Sequence, residues 1–213
     1  MIELELRRVG LRLAAALPDG AYAAAPVALD LSAAPGARLE LQGAWQWGGS
    51  GALQLACVEI GVDRWVPGLE RPVLGGATAL VREAAGLGSV WAGEPVRVGS
   101  RFEQSYRAES ADGAAAARGL HVLGFVGHPA ELMLCSAVCL APARATGACD
   151  TVLGSLRVEA AFVEPPPPGV LAAAALLAAR HPAAAALGLA ALLALGAAWL
   201  LGRRPRRGGA ASV

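Results

Sequence analysis

Apolar residues alternate with charged or amide residues along much of the chain before Pro165. The stretch Arg38 to Trp47 shows this best. Leu39, Leu41, Trp45 and Trp47 share one parity, and Arg38, Glu40, Gln42 and Gln46 the other. A period of two puts these sets on opposite faces of a half-buried antiparallel strand. Gly48, Gly49, Ser50 and Gly51 then form a hairpin loop, and Leu53, Leu55 and Cys57 return in alternation with Gln54 and Ala56. Near the amino end Ile2, Leu4 and Leu6 alternate with Glu3, Glu5 and Arg7, while Val9, Leu11 and Leu13 resume on the opposite parity. A slipped parity predicts a bulge or break after Arg8. Pro18, Asp19 and Gly20 are turn residues, and the Ala-rich loop that runs on to Pro35 and Gly36 carries no assignable element.

The period changes at Val66 to Ala85. Leu69, Val73, Ala77, Leu80, Val81 and Ala84 lie three or four apart, which predicts a helix with Pro72 in its first turn and Glu70, Arg71, Arg82 and Glu83 outside its apolar face. Val90 to Val98, interrupted by Pro95, predicts an edge strand or loop. Phe102, Tyr106 and Ala108 alternate with charged neighbours in a further half-exposed strand. Leu120 to Val126 and Leu132 to Leu140 are apolar on both parities and are joined by Gly127, His128, Pro129 and Ala130, the pattern of a buried central hairpin. Thr146 to Leu156 predicts a second helix with Val152, Leu153 and Leu156 on one face, and Arg157 to Val163 a short extended tail. Two helical segments and seven or so strands define an α+β domain, mainly antiparallel sheet, over residues 1–164.

Beyond that domain the pattern is different in kind. Ala183 to Gly202 holds twenty residues without a charge. At ~1.5 Å per residue it matches the ~30 Å hydrocarbon core of a bilayer. It is followed by Arg203, Arg204, Pro205, Arg206 and Arg207. We read residues 183–202 as a transmembrane helix and 203–213 as a basic tail. Residues 165–182 form a linker in which Pro165 to Pro168 adopt polyproline II, and Val170 to Ala179 form an interfacial segment ahead of Arg180, His181 and Pro182.

Composition sharpens this division. All 18 basic residues are Arg and there is no Lys, and the richness in Ala, Gly, Pro and Arg is what GC-rich codons supply, which suggests a bacterial source. Residues 1–164 carry 13 Arg against all 17 acidic residues, a balance of −4, and residues 165–213 carry 5 Arg and no acid, a balance of +5. The domain's charge is wrong for nucleic acid, whereas the tail's suits lipid headgroups.

The final predicted helix, with Ala148, Cys149, Asp150, Thr151, Val152, Leu153, Gly154, Ser155 and Leu156, ends in an apolar-Ser-apolar step. Together with the order strand, hairpin, helix, antiparallel strands, short helix, it resembles the Mog1/PsbP-like group, with its DcrB and LpqN lipoprotein branches. The resemblance covers residues 1–163 by element order and only the last helix by residues. It implies a binding or accessory role and brings no catalytic motif. Members are often tethered at membranes or serve secretion and photosystem assemblies, usually behind an amino-terminal signal, from which the carboxyl-terminal span departs.

Candidate chemistry is sparse. Cys135 and Cys139 share a face of a predicted strand but stand ~13 Å apart at ~3.3 Å per residue, too far to share a metal or bond one another. The four cysteines, Cys57, Cys135, Cys139 and Cys149, are expected as small buried thiols in a cytoplasmic domain. In an exported one they would form a disulfide between two strands or between Cys139 and Cys149. A cysteine nucleophile needs a base, and the domain has only His121, on a central strand, and His128, in a turn. A chain without Lys has no P-loop lysine. Trp45, Trp47, Trp65 and Trp91 could line a groove, but Trp45 and Trp47 lie on the apolar face of their strand and are read as core. No catalytic, cofactor-binding or metal-binding residue is assigned, and no enzymatic activity is expected.

The expected protein is a single-pass, membrane-tethered binding, scaffold or assembly accessory, whose partners are the bilayer and a protein the sequence does not identify. The alternatives are an envelope sensor or secretion accessory with an exported domain, and a tethered Cys/His enzyme. Signals for orientation conflict. No signal peptide is expected, since Glu3, Glu5 and Arg12 interrupt the amino end, and a span so close to the carboxyl terminus is expected to insert as a tail anchor with the domain in the cytoplasm. Four Arg after the span against Arg180 before it favour an external domain. The cytoplasmic placement is preferred because exporting a whole domain without a signal is the harder step.

Overall fold

The computed structural model describes residues 1–32, 34, 36–48, 51–61, 65–127 and 129–167. Within a compact unit spanning Met1–Pro167, the described residues form an α+β domain with two helices and twelve strands in two antiparallel sheets. The linker after Pro167, the apolar run 183–202 and the basic tail lie outside the described residues. Among the described residues no helix is long and apolar enough to cross a membrane.

The smaller sheet has the order β1-β2-β11, with β1 Ile2–Leu6, β2 Leu11–Ala15 and β11 Arg157–Glu159. The parity break after Arg8 is a single 3-10 turn, Arg7–Val9, closed by Gly10 at φ 62°. Only a residue without Cβ takes that left-handed conformation cheaply. The turn re-phases the apolar set, so that Leu11, Leu13 and Ala15 are buried.

The larger sheet runs β3-β4-β5-β10-β9-β8-β6. Its strands are β3 Tyr22–Ala24, β4 Ala37–Trp47, β5 Gly51–Ile60, β6 Leu87–Ala92, β8 Arg101–Ser110, β9 Ala115–Val126 and β10 Glu131–Pro142. Two short strands, β7 Val96–Val98 and β12 Phe162–Val163, add to β8 and β9 respectively. The hairpin of β9 and β10 is central, as its two-sided apolar sequence predicts, because both its faces are covered. On one face Val122, Met133, Cys135, Ala137 and Cys139 meet the small sheet and α2, Gly147–Ser155. On the other, Leu123, Phe125, Leu132 and Leu134 meet α1, Glu70–Ala84.

Several expectations change in detail. The Ala-rich loop contains β3, too short to show an alternation. Strand β4 is not uniform in parity, because its pairing with β5 shifts between Leu39 and Leu41. The bulge turns Leu39 out, 39% exposed, while Leu41 packs on the core. Helix α1 starts at Glu70 rather than Val66, and Pro72 stands in its first turn. Its buried face is Leu74, Ala77, Thr78 and Val81, so the true stripe is rotated from the expected one and leaves Ala84 exposed. The strands number more than the seven or so expected because β3 is not assignable from the sequence and the single extended pieces expected over 90–98 and 157–163 are each split in two, so that β3, β7, β11 and β12 have only two or three residues. Such lengths carry too few alternations to register as a period.

Candidate functional site

The described residues hold one row of buried and half-buried polar side chains that the hydrophobic pattern does not explain. Ser136 on β10, His121 on β9 and Gln104 on β8 are direct register partners across three adjacent strands. All three therefore project from the same face, the one beneath α1. His121 is 0% exposed and its Nδ1 lies 2.8 Å from Ser136 Oγ. Tyr106, two residues along β8, stacks on the imidazole at 4.7 Å between ring centroids with the planes 22° apart. Its ring lies over Gly119, where there is no room for a Cβ. Gln104 donates from Nε2 to the carbonyl of Gly93 at 2.8 Å. Thr78, on the buried face of α1, donates to the Leu74 carbonyl at 3.0 Å.

Three atoms of this group, His121 Nε2, Tyr106 Oη and Gln104 Oε1, find no hydrogen-bond partner among the described residues. Burial lowers the His121 pKa from its ordinary 6.5 to about 4, and raises that of the Tyr106 phenol. His121 is therefore neutral near pH 7. The serine–histidine contact has the spacing of a nucleophile and base, but a base with a pKa of about 4 withdraws a hydroxyl proton poorly, and no carboxylate among the described residues orients the ring. Sequence reasoning placed His121 on its central strand and missed its partners. Gln104 was legible as a polar residue at the core parity of Phe102, Tyr106 and Ala108, and Ser136 as the lone hydroxyl within the apolar run of β10. His128 lies outside the described residues.

The cysteines depart from the expectation of free buried thiols. Cys57 and Cys135 are register partners on β5 and β10, with Cα atoms 4.1 Å apart, and form a disulfide. Cys139, four residues further along β10, turns to the same face and bonds Cys149 of α2, with Cα atoms 5.5 Å apart. Both bridges expected for an exported domain are thus present together. Alternation on β10 separates Cys135 and Cys139 yet points both at the layer where β5 and α2 supply partners. Sulfurs so paired offer neither a thiolate ligand nor a thiolate nucleophile.

A second polar cluster sits at the 3-10 turn. Arg8 reaches Glu40, Glu59 and Glu131 on β4, β5 and β10, and Arg38 reaches Glu40 and Glu59. Burial pulls the Glu40 carboxyl up, but the hydrogen bonds from Arg8 and Arg38 outweigh it and hold its pKa below the ordinary value. One arginine between three strands of the large sheet pins the small sheet's turn to it, which is a structural role. The tryptophans do not share a groove. Trp47 is buried and Trp45 packs on the same core, while Trp65 belongs to the α1 side, edge-on to Phe125 at 5.3 Å. Trp91 stands exposed on β6.

No protein-family model and no curated protein matches the chain. Among solved structures the domain is similar to LpqN, described as involved in cell envelope biogenesis of Mycobacterium tuberculosis. The identity is 11%, the TM-score is 0.43, and the match covers 74% of this chain and 90% of that one. This is a weak structural likeness to one branch of the group that the element order and the final helix resemble. At this identity and score the likeness carries no residue across.

Proposed function

We propose that the protein is an accessory or binding domain of a bacterial envelope, tethered by the apolar run 183–202 and working outside the cytoplasm without catalysis. One observation carries this reading. All four cysteines are closed into two disulfides, each with a buried member, and such bridges persist in oxidising compartments and are rare in the cytosol. The excess of arginine after the apolar run supports the same orientation. The cytoplasmic placement preferred from the sequence is therefore not carried forward. The buried histidine with its weak basicity supports a non-catalytic role.

Thiol trapping tests the compartment. Bacterial cells expressing the full chain are quenched in acid, and the protein is alkylated before and after reduction and weighed. The expected result is no alkylation before reduction and four adducts after it. Four adducts before reduction would return the domain to the cytoplasm.

A further inference from the structure

We propose that the edge of the large sheet formed by β6 and β7 is a bilayer-contacting surface, with lipid headgroups and upper acyl chains as its partner. The inference rests on the tethered reading above. Trp91, Val96 and Val98 are 46%, 58% and 43% exposed. They pair in register with Arg107, Glu103 and Arg101 of β8, so all three project from one face, the face opposite α1. The small sheet and α2 cover the core strands on that side, but Ser105, Arg107 and Glu109 of β8 remain exposed there, and among the described residues this end of the sheet is unpartnered. Arg107 holds its guanidinium 5.4 Å from the Trp91 ring centroid. An indole beside an arginine and two valines is a set of side chains suited to the interface, where a ring can enter the apolar boundary while a long cation stays in water.

The point at which the chain leaves the domain favours a bilayer over other partners. Glu164, after β12, accepts hydrogen bonds from Arg97, which pairs with Phe102 and so leaves β7 on the face opposite the two valines, and from Ser100 just beyond the strand. The polypeptide therefore departs beside β7, and its next residues are the prolines that lead to the apolar run. Size also decides. Three half-exposed side chains present on the order of 200 Å² of apolar surface. A stable protein interface needs ~800 Å² from each partner. A tethered domain requires far less, because a short linker holds it near the membrane at an effective concentration of roughly millimolar.

Brominated lipids test this on the full chain in vesicles of phosphatidylcholine and phosphatidylglycerol, since bromines on the acyl chains quench tryptophans that reach them. Trp45, Trp47 and Trp65 are packed inside the domain and form the unquenched background. Trp199→Phe is expected to remove a share of the quenching, which reports the span. Trp91→Phe is expected to remove a further, comparable share, and Val96→Asp with Val98→Asp to weaken quenching of the remaining Trp91. Loss on Trp199→Phe with no change on Trp91→Phe would overturn the surface and leave the span standing. Loss on Trp91→Phe alone would support the surface and remove the span, and no quenching of either would remove both.

Discussion

Burial of His121 couples the fold to pH. Its folded pKa of about 4 lies below the ordinary 6.5, so the unfolded chain takes up the proton first as pH falls. Stability from this group is complete above the unfolded value, declines as pH drops below it, and levels off below the folded value. The depression corresponds to roughly 3 kcal/mol in total. Urea midpoints should fall between pH 7.5 and 4.5 in the native protein and stay nearly flat in His121→Gln, which keeps a polar partner for Ser136 without titrating. The carboxyl of Glu40, held below its ordinary 4.5, contributes to a separate window, below that value. A second residue-scale prediction concerns Gly119. Any Cβ there meets the Tyr106 ring, so Gly119→Ala should cost ~1–3 kcal/mol, read by chemical denaturation. Gly76 sits in open space on the exposed face of α1, and Gly76→Ala should instead stabilise the helix by ~0.5–1 kcal/mol.

At the scale of elements, the disulfides add covalent ties to contacts that the main core already makes. Cys57–Cys135 closes a loop of 78 residues within the sheet, and Cys139–Cys149 ties α2 to β10 across 10. Replacing both Cys57 and Cys135 by Ala should destabilise the domain by ~2–5 kcal/mol, measured by the shift in denaturation midpoint against the oxidised parent. Strand parity, which marks Cys57 only as a small packing thiol, misses this, since one cysteine's parity does not say which strand lies opposite. Long strands were legible from their burial: β4 and β5 follow from one apolar face at Trp45 and Leu53, and the β9–β10 hairpin from a run at Leu132 that is buried on both faces. What was not legible depends on neighbours. The bulge at Leu39 follows from pairing with β5, and the stripe of α1 is rotated onto Leu74 and Thr78 because the sheet beneath it, not the helix period, chooses the buried face. The polar row was half visible: His121 could be placed on its strand, but its meeting with Ser136 and Gln104 is set by register.

At the scale of the molecule, the described domain is a layered scaffold: a small sheet and α2 on one side of a large sheet, α1 on the other, and disulfides confined to the first side. That arrangement suits a domain that must stay folded without chaperones or reducing cofactors while it binds, which is the reading proposed for its place outside the cytoplasm. Protease accessibility tests that claim most directly. Proteinase K is added to intact spheroplasts carrying the full chain, with a cytoplasmic protein as internal control and a detergent-permeabilised sample to show that the stapled domain can be cut. The account predicts digestion of the domain while the control survives. Protection of the domain until the membrane is permeabilised would contradict it and place residues 1–164 in the cytoplasm.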